Sequence, residues 1–338
     1  MAHPGPRNLI TDVAGLKVGN AGDRRILTGV TVVLPQRSMV VAADIRGGAP
    51  GTRETPSLEP ENLIEDVHAI VLAGGSVFGL DAASAVTTEL ARQGIGYKFG
   101  EQVLPCPIVP AAILFDLING GGKSWGDLSP YARLGQEALA SAATNFELGL
   151  AGAGLGAIAG SLKGGLGSAS AVWNGITVGA LVAVNSVGSC INGHTGLPWG
   201  IDYACGDEMG PRQPPARIST TLAGTKLDLI PGAASPGANT TIAVVATDAR
   251  LGKSEAKRLA IMAGDGMAIA IRPLHTPFDG DTIFVAATGV RELDMPRPLA
   301  LARLGALAAE TLARAVGRAI WEAKSAGRAK SYRDLINR

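Results

Sequence analysis

Pro231-Gly-Ala-Ala-Ser-Pro-Gly-Ala-Asn239-Thr240-Thr241-Ile-Ala-Val-Val-Ala246 joins a linker of small and helix-breaking residues to an unbroken apolar run. Thr240 to Ala246 reads as a buried strand whose first two residues carry hydroxyls. Threonine favours strands, so a loop entering a strand accounts for the pattern by itself. A second reading makes the linker a cleavage loop. Thr240 Oγ attacks the Asn239 carbonyl, an N-to-O acyl shift gives an ester, and water hydrolyses it. The α-amine so released, with a reference pKa of about 7.7–8.0, can act as general base for its own hydroxyl. One residue then supplies nucleophile and base, mounted at the start of a rigid strand.

Beyond Ala246, Lys253 to about Ile271 has the Ala/Ile/Met pattern of a helix. Asp281 to Thr288 reads as a strand and Arg297 to Ala326 as a long helix with Leu/Ala stripes. On the other side, Gly188 to Gly237 is polar and turn-rich and offers one strand, Ile218 to Leu222. Before it, Ser168–Trp173 and Ile176–Val184 flank Asn174-Gly175, the strongest short hairpin signal. Ala151 to Gly167 reads as a Gly/Ala-rich loop. Further back, Val30–Leu34, Met39–Ile45 and Val67–Ala73 read as strands, and Leu80–Gln93 and Pro130–Ala143 as helices. Strands and helices mix without strict βαβ alternation. The pattern therefore predicts a layered α/β fold with a largely antiparallel or mixed central sheet.

The 338 residues are 46% hydrophobic and 17% charged, enough for one large domain or two modest ones. Aromatics are only 4% and glycines number 46, so Ala, Val, Leu and Ile fill the core, with backbones packed close at glycines. A formal net charge of +1 offers no basic footprint for nucleic acid. Cys106, Cys190 and Cys205 are an odd count without CxxC spacing and read as buried thiols of a reducing compartment. The polar N-terminus has no signal-peptide pattern and no run of about 18 apolar residues appears, so no membrane association and a cytoplasmic location are expected.

Several motifs invite a different chemistry and fall short of it. Gly120-Gly-Gly-Lys-Ser124 ends like a phosphate-binding loop, but Leu117 stands where the first glycine belongs. Gly152-Ala-Gly-Leu-Gly-Ala157 resembles a dinucleotide loop, yet Asn174 replaces the acid about twenty residues on and a hairpin follows. His275, Asp279 and Asp281 are a weak metal signal, because Asp-Gly-Asp also makes an ordinary turn. No G-x-S-x-G elbow supports a Ser-His-Asp triad.

Larger blocks carry a family resemblance. Asn8-Leu-Ile-Thr-Asp-Val-Ala-Gly-Leu-Lys-Val-Gly19, Arg46-Gly-Gly-Ala-Pro-Gly-Thr-Arg-Glu-Thr55, Ala73-Gly-Gly-Ser-Val-Phe-Gly-Leu-Asp-Ala82 and Val109-Pro-Ala-Ala-Ile-Leu-Phe-Asp116 come first. Lys163-Gly-Gly-Leu-Gly-Ser-Ala169, Val182-Ala-Val-Asn185, Thr240-Thr-Ile-Ala-Val-Val-Ala-Thr-Asp248 and His275-Thr-Pro-Phe-Asp-Gly-Asp-Thr-Ile-Phe284 follow. In this order, over nearly the whole chain, they resemble the DmpA-type peptidases, the family that includes the endo-type 6-aminohexanoate (nylon) oligomer hydrolases.

The resemblance implies a four-layer αββα sandwich of the N-terminal-nucleophile-like kind. It implies one domain over residues 1–338, processed into a 1–239 α chain and a 240–338 β chain that stay associated. By the same resemblance Thr240 is the nucleophile, Asp279 and Asp281 lie near its amine and hydroxyl, and Lys163 and Asn185 complete the catalytic set. Tyr131 resembles a tyrosine near the substrate pocket. Asn185 could stabilise an oxyanion through its side-chain N–H, and Lys163 could depress the basicity of a nearby amine. The Asn239-Thr240 junction and Asp279-Gly-Asp281 resemble the nylon-oligomer branch. The implied reaction is hydrolysis of peptide-like amides, 6-aminohexanoate-type oligomers foremost, through an acyl-Thr intermediate. Aminopeptidase or β-peptide aminopeptidase action is the alternative. No cofactor or metal is implied, and a homo-oligomer, with a tetramer favoured, is. An ornithine acetyltransferase would show an Ala-Thr-Met-Leu junction, which is missing. An uncleaved binding protein is the non-enzymatic rival.

Overall fold

The computed structural model describes residues 2–100, 103–229 and 239–337. Two five-stranded sheets form its centre. The first contains β1 (Leu16–Asp23), β2 (Thr28–Pro35), β4 (Thr52–Arg53), β5 (Ile70–Ala73) and β6 (Ala111–Ile113), in the order β1-β2-β5-β6-β4. The second contains β3 (Val40–Ile45), β9 (Gly165–Trp173), β10 (Ile176–Asn185), β11 (Thr240–Ala249) and β12 (Thr282–Arg291), in the order β3-β12-β11-β10-β9. A small antiparallel hairpin of β7 (Ile158–Ala159) and β8 (Leu162–Lys163) leads into β9. Both sheets are mixed, with β5–β6 and β11–β12 parallel. A parallel pair needs a crossover, and helix α5 (Lys253–Ala270) supplies the one between β11 and β12.

Strand β11 shows why its sequence is apolar throughout. Ile242, Val244 and Ala246 face the core between the two sheets, beside Leu72, Leu181 and Phe284. Ala243 and Val245 face the opposite side, toward α5 and the long helix α6 (Arg297–Glu322). Successive side chains alternate faces, so a strand buried on both must be apolar at every position. Leu259, Ala263 and Met267 of α5 and Leu312 and Val316 of α6 close that side. Helices α1 (Asp81–Arg92) and α2 (Tyr131–Ala140) cover the outer face of the first sheet through Val86, Leu90, Leu134 and Ala138. The layers are therefore αββα, as the resemblance implied.

The β9–β10 hairpin takes the expected register, Trp173 opposite Ile176. Asn174 and Gly175 both have positive φ, 49° and 76°, as a two-residue turn of this hand requires. Three expectations change. Ile218–Leu222 is not a strand: a one-turn helix α3 (Thr220–Ala223) forms there, followed by α4 (Lys226–Leu229). The Leu222 and Ala223 N–H groups turn back to the Ser219 carbonyl, and Leu222 buries itself in the core under α6, so local bonds replace a ladder. The stretch Ala151–Gly167, expected as a Gly/Ala-rich loop, is almost wholly buried and contains β7, β8 and the start of β9. Of the cysteines, all free thiols, only Cys190 is buried; Cys106 and Cys205 are exposed, on irregular connections. The Pro231–Ala238 linker lies outside the described residues. A last short helix, α7 (Tyr332–Ile336), packs its tyrosine under α6. No helix among the described residues is long and apolar enough to cross a membrane.

Candidate active site

Thr240 begins β11 directly opposite Asn185, the last residue of β10. Both are buried, as is Asn239. The Thr240 hydroxyl donates to the Asn239 carbonyl oxygen. The Gly280 backbone N–H donates to the same oxygen at 3.0 Å. One carbonyl thus has a nucleophile-bearing side chain against it and an N–H on its oxygen, where negative charge would build up on attack.

The turn before β12 carries Asp279 and Asp281 under the strand start. Asp281 accepts the Thr241 N–H at 2.7 Å through one oxygen. Its other oxygen accepts the His275 N–H at 3.1 Å and lies 2.9 Å from His275 Nδ1. Asp279 accepts the Val187 N–H at 3.1 Å, and the Thr276 N–H and hydroxyl at 3.0 and 2.5 Å. The Ala49 N–H to the Asp279 carbonyl, 2.8 Å, and the Arg46 N–H to the Asp281 carbonyl, 3.1 Å, tie the Arg46–Ala49 segment across the turn. The two carboxylates therefore hold the neighbours of Thr240 and Asn185, Asp281 through Thr241 and Asp279 through Val187. Burial, then the neighbouring Asp281, raises the Asp279 carboxyl above its ordinary range.

Asn185 is held from three directions. Its Oδ1 accepts the Ile158 N–H at 2.9 Å and a proton of Lys226 Nζ at 3.3 Å, and its Nδ2 donates to the Phe115 carbonyl at 2.9 Å. Lys226 Nζ also reaches the Asn185 backbone carbonyl at 2.9 Å. Lys163 is fully buried and donates to the carbonyls of Ala157, Gly164 and Gly154 at 2.6, 2.9 and 3.3 Å. Its ammonium thus braces the turn that carries Ile158 rather than touching Thr240. Burial pulls Lys163 down to about 7 against the attraction of Asp116. Burial likewise pulls Lys226 down to about 7; Asp279 opposes the shift and Lys163 reinforces it.

Tyr131 opens α2 and is wholly buried in the core between the first sheet and its helices. Its hydroxyl lies 3.1 Å from Thr28 Oγ1, which donates to Asp116 at 2.6 Å. Burial, then Asp116, pushes the phenol well above its ordinary range. Asp116 also accepts the Gly75 N–H at 2.9 Å and follows Phe115, whose carbonyl holds Asn185. Tyr131 thus supports the floor next to Asn185 and is not an exposed pocket wall.

The sequence reading missed Lys226, Asp116 and the Gly280 N–H, and weighed His275 only as a metal ligand. Lys226 is the one lysine between Asn185 and Thr240, in a stretch without a motif, so nothing local marked it. The backbone N–H of Gly280 has no side-chain signature at all. Lys123 of the glycine-rich 120–124 loop donates to the Ile26 carbonyl at 2.6 Å, a structural use. Among the described residues, no group of His, Cys, Asp and Glu side chains is arranged to hold a metal ion.

The description "Peptidase family S58" belongs to a family model that matches residues 8–333. The chain is 43% identical over 347 residues to an uncharacterized aminopeptidase of Mycobacterium tuberculosis (strain ATCC 25618 / H37Rv), covering 97% of this chain and 98% of that protein. It is 29% identical over 324 residues to a 6-aminohexanoate-oligomer endohydrolase of Kocuria sp. (strain KY2), covering 91% and 84%. A Burkholderia sp. beta-aminopeptidase has a similar structure, with TM-score 0.71, 22% identity, and coverage of 98% of this chain and 92% of that one. The L-aminopeptidase D-Ala-esterase/amidase from Ochrobactrum anthropi, described as a variant of the Ntn hydrolase fold, matches with TM-score 0.68 and 21% identity over 96% and 88%.

Proposed function

Because the chain belongs to peptidase family S58, we propose that it is an amide hydrolase that cuts its own Asn239–Thr240 bond and then uses Thr240 as an N-terminal nucleophile. One observation carries this reading: the Thr240 hydroxyl lies on the Asn239 carbonyl, whose oxygen also receives the Gly280 N–H. In the first stage Thr240 Oγ bonds to the Asn239 carbonyl carbon and the C–N bond breaks. The hydroxyl proton ends on the Thr240 nitrogen. Water then hydrolyses the ester, leaving an Asn239 carboxylate and a Thr240 with hydroxyl and α-amine. In the second stage that amine takes the hydroxyl proton as Oγ attacks a substrate amide. Asn185 and backbone N–H groups such as that of Gly280 hold the oxyanion. The amine returns the proton to the leaving group, and water releases the acyl group from Thr240. This chemistry draws only on residues of the chain and water.

The resemblance of the Asn239-Thr240 junction and the Asp-Gly-Asp turn to the nylon-oligomer branch favours amides of the 6-aminohexanoate-oligomer kind, linear or cyclic, as substrates. The 43% identity to a protein named as an aminopeptidase favours a second reading, release of N-terminal residues from peptides. N-acetylated and free-amine substrates separate the two: an aminopeptidase spares the acetylated ones.

The deciding experiment is intact mass spectrometry of wild type and Thr240→Ala. Fragments 1–239 and 240–338 in wild type, with one full-length species in the variant, are expected. Full-length chain from folded wild type would overturn the proposal.

A further inference from the structure

Lys226 is a buried lysine on Asn185, the residue opposite Thr240, with no part in the chemistry above. It belongs to α4, the last described element before the linker, and its backbone N–H bonds the Val187 carbonyl at 2.9 Å. Val187 in turn gives its N–H to Asp279. The lysine is thereby docked on the end of β10, with Asp279 and Asp281 of the turn before β12, Lys163 of β8 and the Cys190 thiol as its charged or titratable neighbours.

Its ammonium grips both polar ends of one residue, the Asn185 backbone carbonyl and Oδ1. A carboxamide can turn over and exchange its oxygen and nitrogen with little change in shape. For Asn185 that exchange matters, because only the nitrogen can donate to an oxyanion, through the second of its two N–H protons, the first being given to the Phe115 carbonyl. With Lys226 and the Ile158 N–H both aimed at one end, that end must be the oxygen. A flipped amide would set an NH2 group against an ammonium and an N–H, and an oxygen against the Phe115 carbonyl.

We infer that Lys226 is a positioning residue for amide hydrolysis, fixing the Asn185 carboxamide so that its nitrogen is the end offered as donor. The inference rests on the Thr240 reading. While protonated, Lys226 is a charged donor and holds a carboxamide oxygen more firmly than a neutral N–H does, so the comparison below is made at a pH under about 7, where the folded lysine keeps its proton. Without Lys226 the oxygen keeps a single donor, the Ile158 N–H, and the Asn185 backbone carbonyl loses its ammonium.

The test is a double-mutant cycle on mature enzyme, with p-nitrophenyl acetate as an activated ester that needs no substrate recognition. Lys226→Met keeps the length of the stem without a donor. It should lower kcat about 10-fold or more and leave KM within about twofold, because a misplaced oxyanion donor is felt in the transition state. Lys226→Gln, which keeps a neutral N–H, should recover part of the loss. In an Asn185→Ala background Lys226→Met should have little further effect, since the residue acts through Asn185. Wild-type kcat in both Lys226 variants, or a full additional loss on top of Asn185→Ala, would overturn the inference. If Lys226→Met does not fold, the Gln variant carries the same comparison. Wild type that cuts itself yet leaves the ester intact would defeat the Thr240 hydrolase reading and the inference with it. Cleavage of the ester with an unaltered Lys226→Met would defeat only the inference.

Discussion

Gly280 stands so close to Thr240 that a β-carbon on it would lie 2.8 Å from the threonine hydroxyl oxygen. The same carbon would lie 2.7 Å from the Ala49 carbonyl oxygen and 3.2 Å from Pro50 Cα, both backbone atoms, so either the turn or the threonine hydroxyl would have to shift. Only a glycine lets this backbone deliver its N–H to the Asn239 carbonyl. Gly280→Ala should slow self-cleavage by about 100-fold or more, since displacement of a reacting group by about 1 Å has effects of that size. A time course by intact mass reads it. Cleavage at the wild-type rate would show that the turn does not abut the hydroxyl.

Asp281 makes three contacts with two carboxylate oxygens, accepting the N–H groups of Thr241 and His275 and lying 2.9 Å from His275 Nδ1. A carboxamide in its place has one accepting oxygen. Asp281→Asn should leave a buried N–H unpaired, at a cost of about 1–3 kcal/mol. Urea unfolding in a Thr240→Ala background, where every molecule keeps one intact chain, measures this without interference from cleavage. An unchanged midpoint would mean that the amide finds all its partners.

Folding stability should rise with pH through the alkaline range. An unfolded lysine holds its proton up to its ordinary 10.5, whereas burial lowers folded Lys163 to about 7. Between those values the unfolded chain binds more protons, so stability increases with pH, and below about 7 the full penalty is present. Lys226 adds a contribution of the same sign over the same window. The slope is at most about 1.4 kcal/mol per pH unit for each lysine. Lys163→Met should remove roughly half of it, leaving the contribution of Lys226. Urea unfolding of the Thr240→Ala protein at several values between pH 7 and 9 provides the check, and a flat profile would show that both lysines keep ordinary proton affinities.

Gly175 has φ of 76° and open space where a β-carbon would point. Gly175→Ala therefore probes backbone conformation alone. It should lower stability by about 1–2 kcal/mol and leave turnover unchanged. A loss of activity at matched folding would mean that the distant hairpin turn bears on the site.

Periodicity made the layers legible because each long element is packed on a definite face. Thr240–Ala246 and the Asn174-Gly175 hairpin were readable from local pattern alone, since apolar continuity and turn chemistry act over a few residues. Ile218–Leu222 was misread, because its β-branched residues have no neighbouring strand to pair with and their backbone bonds locally instead. At the site, Asn185, Thr240, Asp279 and Asp281 lie on adjoining strand ends and the turn before β12, but their contacts were not legible. Lys163 braces a turn and Tyr131 supports Asp116, roles that depend on carbonyls brought in by the fold. Lys226 and the Gly280 N–H come together with Thr240 only through the β10–β11–β12 arrangement, which no stretch of sequence displays by itself.

Strand β11 runs between β10 on one side and β12 on the other, while β3, from far earlier in the chain, pairs with the outer edge of β12. A cut before Thr240 would therefore leave the second piece threaded through the middle of a sheet whose borders belong to the first. Neither piece could depart without dissolving the shared core. Thermal denaturation of the cut protein would release two unlike polypeptides, and its reversal would be a second-order encounter. The precursor, by contrast, folds at a rate independent of dilution. On the proposed reading the strand order then sets the order of events: assembly would precede scission, and after scission recovery from unfolding would depend on protein concentration.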